Sequence, residues 1–217
     1  MTKIKNGQTV LFIGDSITDC NWRSTDAPLG SGYVRLFHEL MCIREPATTF
    51  TLINKGLGGD TVTNLASGLQ GRWTDEVIRN KPDWLCVLIG INDIHSYVMK
   101  AQQIITPHVY AQAYDDILRR TRRELPRCRV ILAEPFYISR DAAPTTFRGT
   151  ILRTLPRYIR TVHALSRKYR TGLVRLHESF QQRLKHQEPN VFGNEPVHPN
   201  HTGHLLIAEE FYKAFSA

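Results

Sequence analysis

At 217 residues the chain is long enough for one α/β domain and too short for several of ordinary size, and residues 1–217 are read as a single domain. With 41% hydrophobic and 9% aromatic residues it can fill a core, which excludes a disordered or low-complexity protein. The formal net charge of +8 is mostly arginine and is densest in LRRTRRELPRCR at 118–129; a solvated helix face accounts for such a run, and without a nucleic-acid motif beside it no nucleic-acid partner is expected, though a basic surface also suits an acidic substrate or partner.

In chain order, TVLFI (9–13) reads as a first strand and runs directly into Gly14-Asp15-Ser16. Residues 32–42 set Val34, Leu36, Phe37, Leu40 and Met41 at helical spacing. FTLIN (50–54) reads as a second strand, followed by the glycine-rich NKGLGGDT (54–61) and a polar helix reaching about Arg79. WLCVLIG (84–90) is continuously apolar, as expected of a strand covered on both faces, and delivers Gly90-Ile91-Asn92-Asp93. A long helix over 109–125 is ended with the help of Pro126. A fourth strand follows at 129–135, a second long helix at 147–170, and a short fifth strand at 172–177. The loop NEPVHPN (194–200) precedes a final amphipathic helix over 201–215, with Asn200 as its cap.

Strand and helix alternating five times imply parallel strands joined by crossover helices. The expected fold is a three-layer α/β/α sandwich around a five-stranded parallel sheet, of flavodoxin-like type. No repeat or linker divides it. Cys20, Cys42, Cys86 and Cys128 are scattered without a CxxC pair, which suits a reducing compartment. The N-terminus does not read as a signal peptide, and no apolar run approaches the roughly 20 residues of a membrane helix. A soluble, cytoplasmic protein with no membrane partner is the expectation.

In such a sheet, ligands bind beyond the carboxyl ends of the strands. There the sequence delivers a hydroxyl, glycines, a carboxamide, a carboxylate and an imidazole, which together suit acyl transfer. Ser16 needs a base to take its proton, and His198 can serve near neutral pH. Glu195, three residues earlier, can hold the other ring nitrogen. The backbone N–H groups of Ser16 and Gly59 and the amide of Asn92 are candidate donors to an oxyanion.

GDSITD, NKGLGGDT, GIND and EPVHPN resemble the four blocks of the SGNH (GDSL-type) esterase superfamily, in order and over nearly the whole chain. LFIGDSITDC, GSGYV, KPDWLCVLIGINDI and EPFYI look most like its bacterial acetylxylan-esterase branch, whose members remove acetyl groups from xylan or xylo-oligosaccharides. The resemblance implies Ser16 as nucleophile, Gly59 and Asn92 in the oxyanion hole, His198 as base, and no cofactor. The implied partner is a small-molecule or oligosaccharide acetyl ester; relatives are often oligomeric, which is consistent with a homo-oligomer of unspecified size. It departs from the family at one position: members usually carry Asp three residues before the histidine, whereas this chain has Glu195 followed by Pro196. Glu195 as the triad acid, a Ser16–His198 dyad, and a non-catalytic carbohydrate-binding member therefore stay open. So do lysophospholipase, thioesterase and arylesterase specificities on the same site.

Other residues have simpler readings. Asp15 braces the turn and Asp93 is structural. His198, His201 and His204 do not read as a metal site, because Pro199 breaks their spacing and no Cys or paired carboxylate completes a set. Trp22, Tyr33 and Tyr137 are candidate substrate contacts, since aromatics at strand ends can stack on a sugar ring, and Asp15 beside the nucleophile is a fourth.

Overall fold

The computed structural model describes residues 1–63 and 68–216. Its strands are β1 (Gln8–Gly14), β2 (Phe50–Gly56), β3 (Trp84–Leu88), β4 (Arg129–Ala133) and β5 (Gly172–Val174). All pairings are parallel, in the order β2-β1-β3-β4-β5. In register, Gly14 at the end of β1 sits between Gly56 of β2 and Leu88 of β3. The helices are α1 (Ser16–Asp19), α2 (Tyr33–Arg44), α3 (Leu69–Trp73), α4 (Ile91–Val98), α5 (Pro107–Glu124), α6 (Phe147–Tyr169), α7 (Leu176–Leu184) and α8 (His201–Ser216). A π turn, Thr74–Ile78, continues α3. The expected helix after the glycines is thus present from Leu69; residues 64–67 lie outside the described part.

Helices cover both faces of the sheet, giving the three-layer α/β/α sandwich. On one side α2 packs against α8, and Phe12 of β1 meets Tyr33, Phe37 and Phe211 at ring-centroid distances of 5.0–5.6 Å. On the other side α3 and α6 pack against α5, and α4 packs against α6. The continuously apolar β3 is buried along its whole length, as its composition requires.

Helix starts follow ordinary capping chemistry. Thr106 accepts the Val109 N–H at α5, Thr146 the Gly149 N–H at α6, and Asn200 the Gly203 N–H at α8. Several elements differ from the expectation, β3 ending at Leu88 rather than Gly90 and β4 at Ala133 rather than Pro135. The fifth strand ends at Val174, not 177, because Leu176 begins α7. The Glu134 carboxylate at the end of β4 accepts the N–H groups of His177 and Glu178, and so caps that helix from outside its own sequence. The run after β3 also turns helical at once, so GIND opens α4, a helix absent from the expected elements.

Candidate active site

The order of strands reverses at β1, whose neighbours are β2 and β3, and the crevice between the ends of β1 and β3 is where an open parallel sheet binds ligands. Ser16 follows β1 and Asn92 follows β3, so both stand at this point.

At Gly14 the chain passes too close to β3 for any side chain. A Cβ there would lie 2.1 Å from the Leu88 carbonyl oxygen and 2.4 Å from Thr18 Oγ1. Asp15 then caps α1: its Oδ1 accepts the Ile17 N–H at 3.0 Å, and the side chain is buried. The brace expected of Asp15 is this bond. Ser16, first in the helix, is left with its hydroxyl toward the loop before α8, where Oγ lies 2.9 Å from His198 Nε2.

Glu195 reaches the other side of that ring. Its Oε1 lies 2.6 Å from His198 Nδ1 and also accepts the His198 backbone N–H at 2.6 Å, while Oε2 accepts the Val197 N–H at 2.8 Å. The extra methylene of Glu relative to Asp lets the carboxylate curl back over Pro196, which has no N–H of its own, and collect the next two. A fixed carboxylate on Nδ1 leaves Nε2 as the acceptor facing Ser16.

Gly59 has φ +75, in the left-handed region, and nothing lies within 4 Å of where a Cβ would be. Glycine is required here by its backbone conformation, not by crowding from the protein. Among the described residues neither the Gly59 N–H nor the Ser16 N–H has a hydrogen-bond partner. Asn92, in the first turn of α4, donates through Nδ2 to the Asp60 carbonyl at 2.8 Å. One amide proton thus ties Asn92 to the Gly59-Asp60 loop, and the second is left over.

Behind these loops stand three buried carboxylates. Burial pushes Asp15 up to about 7, Asp60 to about 6 and Asp93 to about 8. For Asp60 the burial outweighs the opposing pull of Arg72, which grips its Oδ2 at 2.6 and 2.8 Å. Arg72 also donates to the carbonyls of Lys55 and Gly14, so one guanidinium joins the ends of β1 and β2 to the glycine loop. Both oxygens of Asp93 lie within reach of the Val62 N–H, at 3.1 and 3.4 Å.

The four candidate substrate contacts separate. Tyr33 is a correction: it is fully buried, its hydroxyl bonds Thr18 Oγ1 at 2.9 Å, and its ring stacks on Phe211. Asp15, sealed beneath α1, likewise does not face the crevice. Trp22 is half-buried, with Nε1 donating to the Gly56 carbonyl at 2.8 Å and the cations of Arg23 and Lys55 over its ring. Tyr137 is mostly buried; its hydroxyl feels the charges of Arg148 and Glu195, and its ring meets His95 edge-on at 6.3 Å. His201 and His204 fall in the first turns of α8. His204 is held neutral, its value lowered to about 4 chiefly by burial, and its Nδ1 accepts the Tyr33 N–H.

Sequence reasoning missed Arg72 and His95. Arg72 acts through carbonyls and a carboxylate far from it in sequence, so no local signal marks it. His95 had one: once α4 is seen to open at Ile91, Asn92 and His95 are i and i+3, on one face. His95 is held below the ordinary histidine value by burial and lies near enough to feel Glu195 and His198. A polar cleft of about 250 Å³ adjoins Glu195 and is lined by Ser139, Arg148, Glu188, Asn190 and Asn194, among others.

Comparison with known proteins agrees with this fold. The model of the GDSL-like lipase/acylhydrolase family matches residues 12–206. An acetylxylan esterase of Geobacillus stearothermophilus is 33% identical over 97% of this chain and 95% of its own. The crystal structure of Axe2, an acetylxylan esterase from that organism, superposes with a TM-score of 0.87 at 30% identity, covering 99% of this chain and 97% of the other. LAE5, described as an alpha/beta hydrolase enzyme from the metagenome of Lake Arreo, Spain, gives 0.86 at 27% identity over 99% and 98%. With fold, block order and family model in agreement over most of its length, the chain belongs to the GDSL-like lipase/acylhydrolase family and is a carboxylic ester hydrolase.

Proposed function

We propose that the protein is a serine esterase that removes O-acetyl groups from xylo-oligosaccharides or related carbohydrates through an acyl-enzyme. The observation that carries this reading is the continuous chain from Ser16 Oγ to His198 Nε2 at 2.9 Å and from His198 Nδ1 to Glu195 at 2.6 Å. In this reading Ser16 attacks the acetyl carbonyl as His198 accepts its proton, and Glu195 stabilises the imidazolium. The N–H groups of Ser16 and Gly59 and the second amide proton of Asn92 receive the oxyanion. His198 then returns the proton to the departing sugar oxygen. Water, activated by the same imidazole, attacks the acetyl-Ser16 carbonyl and releases acetate. No cofactor takes part in this scheme.

The carbohydrate side is supported by the named activity of the relatives and by the polar cleft beside Glu195, whose hydroxyl, amide and charged groups suit a polyol leaving group. Activity on p-nitrophenyl esters from acetate to octanoate, beside acetate release from acetylated xylo-oligosaccharides, tests it. A steep fall in kcat/KM beyond butyrate, with acetate released from the oligosaccharide, is expected. Equal or higher activity on octanoate would instead support a lipase-like specificity.

A further inference from the structure

The basic run at 118–129 has no part in the esterase site. In the fold its arginines meet others at the opposite end of the sheet. Trp84, Arg129 and Gly172 open β3, β4 and β5, and around them lies a cleft of about 360 Å³. Lys3, Arg122, Arg127, Arg129 and Arg170 line it, and no acidic side chain does so among the described residues.

Some of these cations cover helix ends. Arg122 does so in part, donating to the carbonyls of Cys128 at 2.9 Å and Tyr169 at 2.7 Å. The carboxyl ends of α5 and α6 both reach this region. Each carries a partial charge of about −0.5, so together they offset about one of the cationic charges. None of the four arginines makes an ion pair among the described residues, unlike Arg119, Arg120 and Arg123 of the same run. Asp83 and Glu124 line the adjoining cleft with Lys81 and Arg127, and Glu124 is paired with Arg123. A surplus of positive charge remains. Arg129 Cζ also lies over the Trp84 ring, 5.0 Å from its centroid, and the Arg129 side chain makes no hydrogen bond among the described residues.

We propose that this cleft is a second binding site, separate from the esterase centre, for a compact oxyanion carrying two or more phosphate or carboxylate groups. The volume falls in the range of small-molecule sites. Guanidinium groups are the side chains best matched to such ligands, since each can donate two parallel hydrogen bonds to one phosphate or carboxylate. The proposal stands independently of the esterase reading, because it uses none of its residues.

Calorimetric titration with inorganic pyrophosphate and, separately, with citrate tests it. Binding of at least one is expected, with Kd between about 10 µM and 1 mM at low salt, weakening as ionic strength rises. Binding of pyrophosphate alone assigns the site to phosphate ligands; of citrate alone, to carboxylates. The double variant Arg129→Gln/Arg170→Gln changes only exposed side chains and is expected to weaken binding about tenfold or more, with its melting midpoint as the check of folding. Arg160→Gln/Lys185→Gln removes the same charge elsewhere and is expected to leave binding unchanged. Absence of binding of either ligand at about 10 mM, or equal loss in the two double variants, would overturn the proposal.

Discussion

Glu195 shows how a carboxylate one methylene longer than that of Asp can still meet the histidine three residues on. Its carboxylate accepts two backbone N–H groups as well as meeting the His198 ring. Glu195→Gln replaces one of those acceptor oxygens by a donor and is expected to lower kcat on p-nitrophenyl acetate about a hundredfold or more, with KM little changed. A loss under about threefold would support a Ser16–His198 dyad instead. Asn92→Ala removes one proposed oxyanion donor, and a fall in kcat of about 10²–10³ is expected. Ser16, Glu195 and His198 were legible in the sequence because each sits in a short local motif. Tyr33 was not: sequence places it close after the nucleophile loop, but only the packing of α2 on α8 decides that its ring faces Phe12 and Phe211.

The elements around the site are joined by buried polar groups, and their contributions are measurable as stability. Asn54, at 1% exposure, donates to the carbonyls of Thr18 and Leu29 and accepts the Gly56 N–H, stapling β2 to the loop after α1. Asn54→Ala leaves those groups unsatisfied and is expected to cost on the order of 2–3 kcal/mol, lowering the melting midpoint by about 5–10 °C. Asp15 gives a pH signature. Burial raises it in the folded protein from an ordinary 3.8 to about 7. Between those values the native state holds the proton more tightly than the unfolded chain, so Asp15 lowers stability as pH rises through this window. Asp15→Asn keeps an acceptor for the Ile17 N–H and cannot ionise. Its melting midpoint is expected to gain on wild type as pH rises from 4 to 7, and an unchanged difference across that range would refute the raised value. Strand-helix alternation made β1 to β4 and the long helices readable, because their apolar patterns are local. α4 was hidden because it follows the apolar run directly after Gly90 with no side-chain cap to announce it, and α7 is capped by Glu134, a residue more than 40 positions away in sequence.

Across the whole molecule the sheet separates two kinds of chemistry. The carboxyl ends of β1 to β3 bring together Ser16, Gly59 and Asn92, with His198 delivered by the loop before α8. The amino ends of β3 to β5 gather cations. The first end was legible as four ordered blocks; the second was visible only as the run at 118–129, because Lys3 and Arg170 join it through the fold. In the proposed mechanism Ser16 is an activated nucleophile. A fluorophosphonate probe reports it directly, with the adduct located by peptide mass spectrometry. Stoichiometric phosphonylation of Ser16 is expected in the wild-type protein and little or none in His198→Ala. A folded wild-type protein that takes no label on Ser16, or that labels equally well without His198, would contradict it.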